Sequence, residues 1–333
     1  TSGNLRSIDI SEFDTTPGSS AGQPVASAET ATVSSQPEAP NTGDACSDGS
    51  NSGSLQCGDG ADASGGASAT ALGDDAVASG DQSTAVGKNS EASGVFSTAV
   101  GEDADADALD TTALGNGADA TADTATALGG LAEASGSQST AVGQNAEASG
   151  ARSTAVGRVA VANANDTTAL GNGADAIAAD ATALGADAQA TGIEATAVGQ
   201  DAEASGDAST ALGEDAVADA TSTTALGNNA DATANNATAL GADAQASGVR
   251  TIAVGDESEA TADYAIALGG TARATSANAI ALGDESKATG FGALALGERA
   301  ESSGGSAVAL GRGSIATDSA GVALGFASTS TGT

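Results

Sequence analysis

Between residues 70 and 325, apolar and polar positions follow one another in an order that returns every 14 residues. The phrase TATALG (124–129) sets it, and STAVG (139–143) repeats it. With the closing Gly as position zero, −1 is always Leu or Val and −2 is always Ala. Position −3 is Thr from Thr70 to Thr238, then Ile, Leu or Val from Ile252 to Val322. Positions +3 and +5 are Ala or Ser, while +1, +2 and +4 hold most of the charged and amide side chains. Alternation of this kind has period two and predicts two short strands per unit, near −4 to −1 and +3 to +6. A helix is excluded, because Gly recurs too often and the apolar positions are not spaced three and four apart.

The closing glycines run from Gly73 to Gly325 in 19 copies without an insertion. A longer period of four units is visible in GNGADATADTATALG (115–129), GNGADAIAADATALG (171–185) and GNNADATANNATALG (227–241). A fixed short period means stacked, identical turns of chain. The fold class expected is all-β, a parallel β-roll or solenoid of 14-residue coils, over residues 58–333. At the inter-strand spacing of about 4.8 Å per coil, 19 units make a rod on the order of 90 Å long.

The −1 column carries the largest repeated side chains, so it is expected to fill the interior: Leu72, Val86, Val100, Leu114, Leu128, Val142, Val156, Leu170, Leu184, Val198, Leu212, Leu226, Leu240, Val254, Leu268, Leu282, Leu296, Leu310 and Leu324. The opposite face, with −4, the invariant Ala at −2 and Gly at zero, is expected to pack against another chain.

Residues 1–57 differ from the array. They are rich in Ser, Thr, Gly and Pro and read as a low-complexity lead-in. LRSIDISEF (5–13) stands out, since Ile8 and Ile10 alternate with polar residues as in a strand, with Phe13 at its end. It is expected to dock on a neighbouring subunit. Cys46 and Cys57 are spaced for a small disulfide loop in an oxidising compartment, with two free thiols as the alternative; they match no zinc pattern.

Composition narrows the function. The 333 residues include no His, Trp or Met, so Ser-His or Cys-His catalysis and His metal sites are excluded. No enzyme motif is present. Net charge is −35, which disfavours nucleic acid and anionic membranes as partners and fits an extracellular, saline setting. No stretch is long and apolar enough for a transmembrane helix. The chain shows neither an initiator Met nor a signal peptide, which reads as a processed product. No cofactor is expected. Acidic pairs at the corners, Asp74 with Asp75, Glu102 with Asp103, Glu214 with Asp215, Asp256 with Glu257 and Asp284 with Glu285, are the only calcium candidates, and a solvated acidic face is the plainer reading. Asn165 and Asn236 head N-x-Thr triplets.

STAVGQNAEASG (139–150), TIAVGDESEAT (251–261) and AIALGDESKATG (279–290) resemble the head repeats of trimeric autotransporter adhesins, the YadA-like group. The resemblance covers residues 58–333. It implies a left-handed parallel β-roll, an intertwined homotrimer and a place on a cell surface. Three departures stand beside it: Thr replaces the usual Val or Ile at −3 in 13 units, neither a neck motif nor heptads are present, and the array stops at GFASTSTGT (325–333). The chain is thus expected to be an adhesin head, part of a longer anchored protein, or a fibre subunit joined head to tail. Its partners would be its own copies and a host or environmental surface, matrix protein or glycan. The competing expectation is an ice- or calcium-binding solenoid. The ice reading requires the threonines at −3 to face water, whereas they share a face with the −1 column.

Overall fold

The computed structural model describes residues 46–331. The expected docking strand, with Ile8, Ile10 and Phe13, lies outside the described residues. The array is a parallel β-solenoid of 14-residue coils, and no helix occurs among the described residues. Each coil contributes a three-residue strand such as Thr126–Leu128 and a two-residue strand such as Glu133–Ala134. Corresponding strands of successive coils pair in parallel register, so Thr126, Ala127 and Leu128 lie against Thr140, Ala141 and Val142. Two long sheets result. The first gathers the strands that end at −1, and the second gathers the +4 and +5 strands.

The interior is made of alanine. Ala at −2, +3 and +5 is buried throughout the stack, and the Ser, Thr or Ala at −4 is buried with it. The two sheets approach so closely that only a Cβ or a small hydroxyl fits between them. Buried Thr111, Thr167, Thr223 and Thr251 each donate their hydroxyl to the carbonyl three residues earlier, which satisfies a group that would otherwise be orphaned.

The expected interior is therefore inverted. The side chains at −1, from Leu72 and Val86 to Leu310 and Leu324, lie on the outer face of the first sheet and are half-buried or exposed. The Thr, Ile, Leu and Val side chains at −3 stand beside them. The physical reason is thickness. A Leu or Val at −1 has no room between sheets held apart by methyl groups, whereas Ala at −2 fills that space in every coil.

Backbone hydrogen bonds continue around both corners. At the first corner the +2 N–H donates to the +1 carbonyl of the preceding coil, as Asn89 does to Asp74 at 2.9 Å. At the second corner Phe96 donates to Asp81 at 2.9 Å. Aiming these N–H groups along the axis places +2 and +9 in the left-handed region, for example Asn89 (φ 54°) and Phe96 (φ 62°).

At the N-terminal end, Ser47–Asp48 pairs antiparallel with Leu55–Cys57, which pairs in parallel with Thr70–Leu72. A Cys46–Cys57 disulfide closes this hairpin. It covers one edge of the first sheet, which would otherwise offer unpaired backbone groups.

Candidate adhesive surfaces

Three surfaces run the length of the roll. The outer face of the first sheet is a flat stripe of two columns, −3 and −1, with one residue of each per coil. Leu184 is 45% exposed and Leu310 is 41% exposed. A stripe one three-residue strand wide and 19 coils long covers on the order of 900 Å². Of its 38 side chains 25 are Leu, Val or Ile and 13 are Thr, so about two thirds of it is aliphatic, still more than the few hundred Å² of contiguous apolar surface that solitary chains expose. The stripe also changes along its length, since the Thr ladder ends where Thr238 meets Ile252 and apolar side chains continue to Val322.

The outer face of the second sheet carries an unbroken acidic ladder over five coils, and beyond it mixes acidic positions with Val161, Gln189, Arg273 and Lys287. Glu91, Asp105, Asp119, Glu133 and Glu147 occupy +4 on successive coils in register. Asp105 and Asp119 each hold one carboxylate oxygen out of water without a hydrogen-bond partner, as do Asp175 and Asp231. Burial, together with neighbouring Asp107, Asp119 and Glu91, pushes the Asp105 carboxyl up to about 7. Burial raises Asp119, Asp175 and Asp231 in the same direction.

The folded state therefore holds more protons than the unfolded chain between the ordinary carboxylate pKa and about 7. Stability is highest toward the acid side of that window and falls as pH rises through it. We expect the melting temperature at pH 5 to exceed that at pH 8. Asp105→Asn should raise the value at pH 8 and flatten the profile. Added NaCl should raise it as well, by screening the ladder. Calorimetry over pH and salt checks this, and a profile rising from pH 5 to 8 would contradict it.

The corners carry the irregular residues. Phe96, Leu131, Tyr264 and Phe291 project there with exposures of 50%, 58%, 49% and 64%. Arg250 sits 5.8 Å from the centre of the Tyr264 ring. Exposed ion pairs join successive coils: Arg152 with Asp166, Arg299 with Glu285 and Arg312 with Glu298. Such pairs contribute little each and fix local geometry. Asn165 is exposed, its side-chain oxygen accepting from the Ala151 N–H, and Asn236 stands exposed at a corner.

All ten calcium candidates, Asp74 and Asp75 through Asp284 and Glu285, are exposed corner residues. Among the described residues, no three acidic, His or Cys side chains converge as a metal would require. Two features escaped the sequence reading: the outward −1 and −3 columns, and the left-handed corner positions. Restriction of −4, −2, +3 and +5 to residues no larger than Thr signals the first, and recurrent Asp and Asn at +2 signals the second.

The YadA head domain repeat, in units of two copies, matches nine consecutive segments: residues 64–90, 92–118, 120–146, 148–174, 176–202, 204–230, 232–258, 260–286 and 288–314. Together these span most of the chain. The chain belongs to the YadA head family. Each matched segment is one pair of coils, so the family's unit coincides with the structural one. No curated protein matches the chain significantly. The YadA head is a structural adhesin domain.

Proposed function

We propose that three copies of this chain join along their −1/−3 stripes into a left-handed, trimeric YadA-like head that serves extracellular adhesion without catalysis. The observation that carries this reading is the outward apolar stripe. Its features repeat once per coil, so a covering surface must share the same axial spacing, and a second and third copy of the chain do. Trimerisation leaves the corners and the second sheet, with its acidic ladder, outside. The corner residues, Phe96, Leu131, Tyr264 and Phe291 among them, then form the contact surface toward a host or environmental surface, matrix protein or glycan. Three copies in one rod supply avidity that a single weak contact lacks.

Light scattering on the intact protein tests the assembly. The expected mass is three chains, persisting on dilution into the micromolar range. A single-chain mass would contradict the reading.

One observation favours a second reading. The structure turns the threonines at −3 toward the outside, in 13 successive coils in register. A single chain with that ladder free would present a regular hydroxyl and methyl array of the kind that orders water at an ice surface. The two readings compete for one face. A single-chain mass accompanied by thermal hysteresis would favour ice binding.

A further inference from the structure

The six coils whose −3 position is apolar differ from the 13 that precede them, and the difference bears on how a trimer finds its alignment. This inference rests on the trimeric reading. Stacked repeats have a register problem. A copy displaced along the axis by whole coils meets nearly the same surface it left. In the first 13 coils the −3 column is uniformly Thr, so it does not resist displacement. The −1 column is nearly periodic. From Leu72 it reads Leu-Val-Val-Leu twice and then Leu-Val-Leu-Leu twice, so a slip of four coils restores most of its contacts.

The step from Thr238 to Ile252 breaks this degeneracy. Beyond it, Ile252, Ile266, Ile280, Leu294, Val308 and Val322 place apolar side chains at −3 beside the −1 column. At these levels both columns of the stripe are apolar. An Ile facing its counterparts is buried against apolar surface, which is favourable. An Ile facing Thr forces a hydroxyl out of water without a partner, which is not. Each coil of slip exchanges one level of the first kind for one of the second and leaves an apolar level overhanging.

We propose that coils 252–322 form an apolar clamp that holds the three chains together and fixes their axial register, while the Thr-bearing coils follow it. The occupant of this surface is two further copies of the same chain.

The test uses the full chain with six substitutions: Ile252→Thr, Ile266→Thr, Ile280→Thr, Leu294→Thr, Val308→Thr and Val322→Thr. Folding of the coil is not at issue, because 13 coils already carry Thr at −3. A second six-site variant changes Leu114, Leu128, Val142, Val156, Leu170 and Leu184 to Thr, removing a comparable apolar surface from the same face away from the clamp. Mass is followed on dilution, and rod length by electron microscopy. The native chain is expected to give trimers of one length. In the clamp variant the concentration at which trimers dissociate should rise by about a hundredfold or more. Its rods should become heterogeneous, with increments of four coils, about 19 Å. The second variant should dissociate more readily than native but keep a single rod length. Clamp-variant rods as uniform and as tightly associated as native would overturn the proposal, as would equal raggedness in both variants. A native chain that is already a monomer would overturn the trimeric reading itself, and is recognised without either variant.

Discussion

Replacing Gly157 by alanine is expected to break the roll at that coil and lower its stability by about 3 kcal/mol or more. Gly157 has φ +144°, a conformation that L residues rarely adopt. A Cβ there would lie 1.9 Å from the carbonyl oxygen of Gly171 in the next coil, far inside contact distance. That oxygen belongs to the backbone, so it cannot move aside without disturbing the ladder above. The neighbouring corner position supplies the contrast. Gly173 has φ +68°, and the equivalent position holds Asn89, Asn145 and Asn229. A Cβ at Gly173 would meet only the carboxylate end of the Asp187 side chain, which can swing aside, so Gly173→Asn should change stability by no more than about 0.5 kcal/mol. Chemical denaturation of the two variants separates a position that needs glycine from one that tolerates it. Equal effects would show that the corner geometry is wrong.

The second large effect concerns the interior. Ala169→Leu should destabilise by about 3 kcal/mol or more, because Ala169 is fully buried and its neighbours along the column, Ala155 and Ala183, are fully buried as well. Three extra carbons there force the sheets apart over several coils. Stability in a solenoid is carried by interfaces between neighbouring repeats, so the damage spreads to coils on either side. Leu170→Ala, one residue along, removes a half-buried side chain from the outer face and should leave the melting of a single chain nearly unchanged. Its effect should appear in the mass of the assembly instead. If −1 filled the interior, the two results would change places.

That pair of substitutions also marks where the sequence is legible and where it is not. The period, the two strands per coil, the parallel stacking and the length follow from Gly73 to Gly325 without further help, because a strict 14-residue count leaves few other architectures. Which face is inside does not follow from alternation alone. A strand has two faces, and the usual preference for large apolar side chains in a core selects −1 over −2. That preference presumes a core thick enough for Leu. Here the sheets sit one methyl group apart, and the residue that identifies the interior is the one that never grows. Ala71 through Ala323 hold −2 in every coil, while −1 varies between Leu and Val and −3 ranges over Thr, Ile, Leu and Val. Tight packing forbids variation in size, and a face that closes only on assembly tolerates more of it.

The corners were legible only in part. Asp and Asn at +2 are residues that accept left-handed backbone, so Asn89 and Asp103 point to such a turn. Val159 and Thr271 occupy the same conformation, and their β-branched side chains offer no such signal. The acidic ladder at +4 is visible as a column of Asp and Glu. The raised carboxyl of Asp105 is not, because it depends on partial burial and on Asp107 and Asp119 lying on the same face.

Which face of the first sheet meets a second chain is decided by one labelling measurement. Cys46 and Cys57 are joined to each other, so a cysteine placed at Thr140, on the −3 column, is the one free thiol in the variant. A nitroxide attached there should report other labels about 10–20 Å away, close to the spacing of packed sheets, with a signature of three coupled spins. A label at Asp207, on the exposed second corner, should report longer separations. Isolated spins at Thr140 in a preparation of trimeric mass would contradict assembly through the −1/−3 stripe, since the chains would then be joined through some other face.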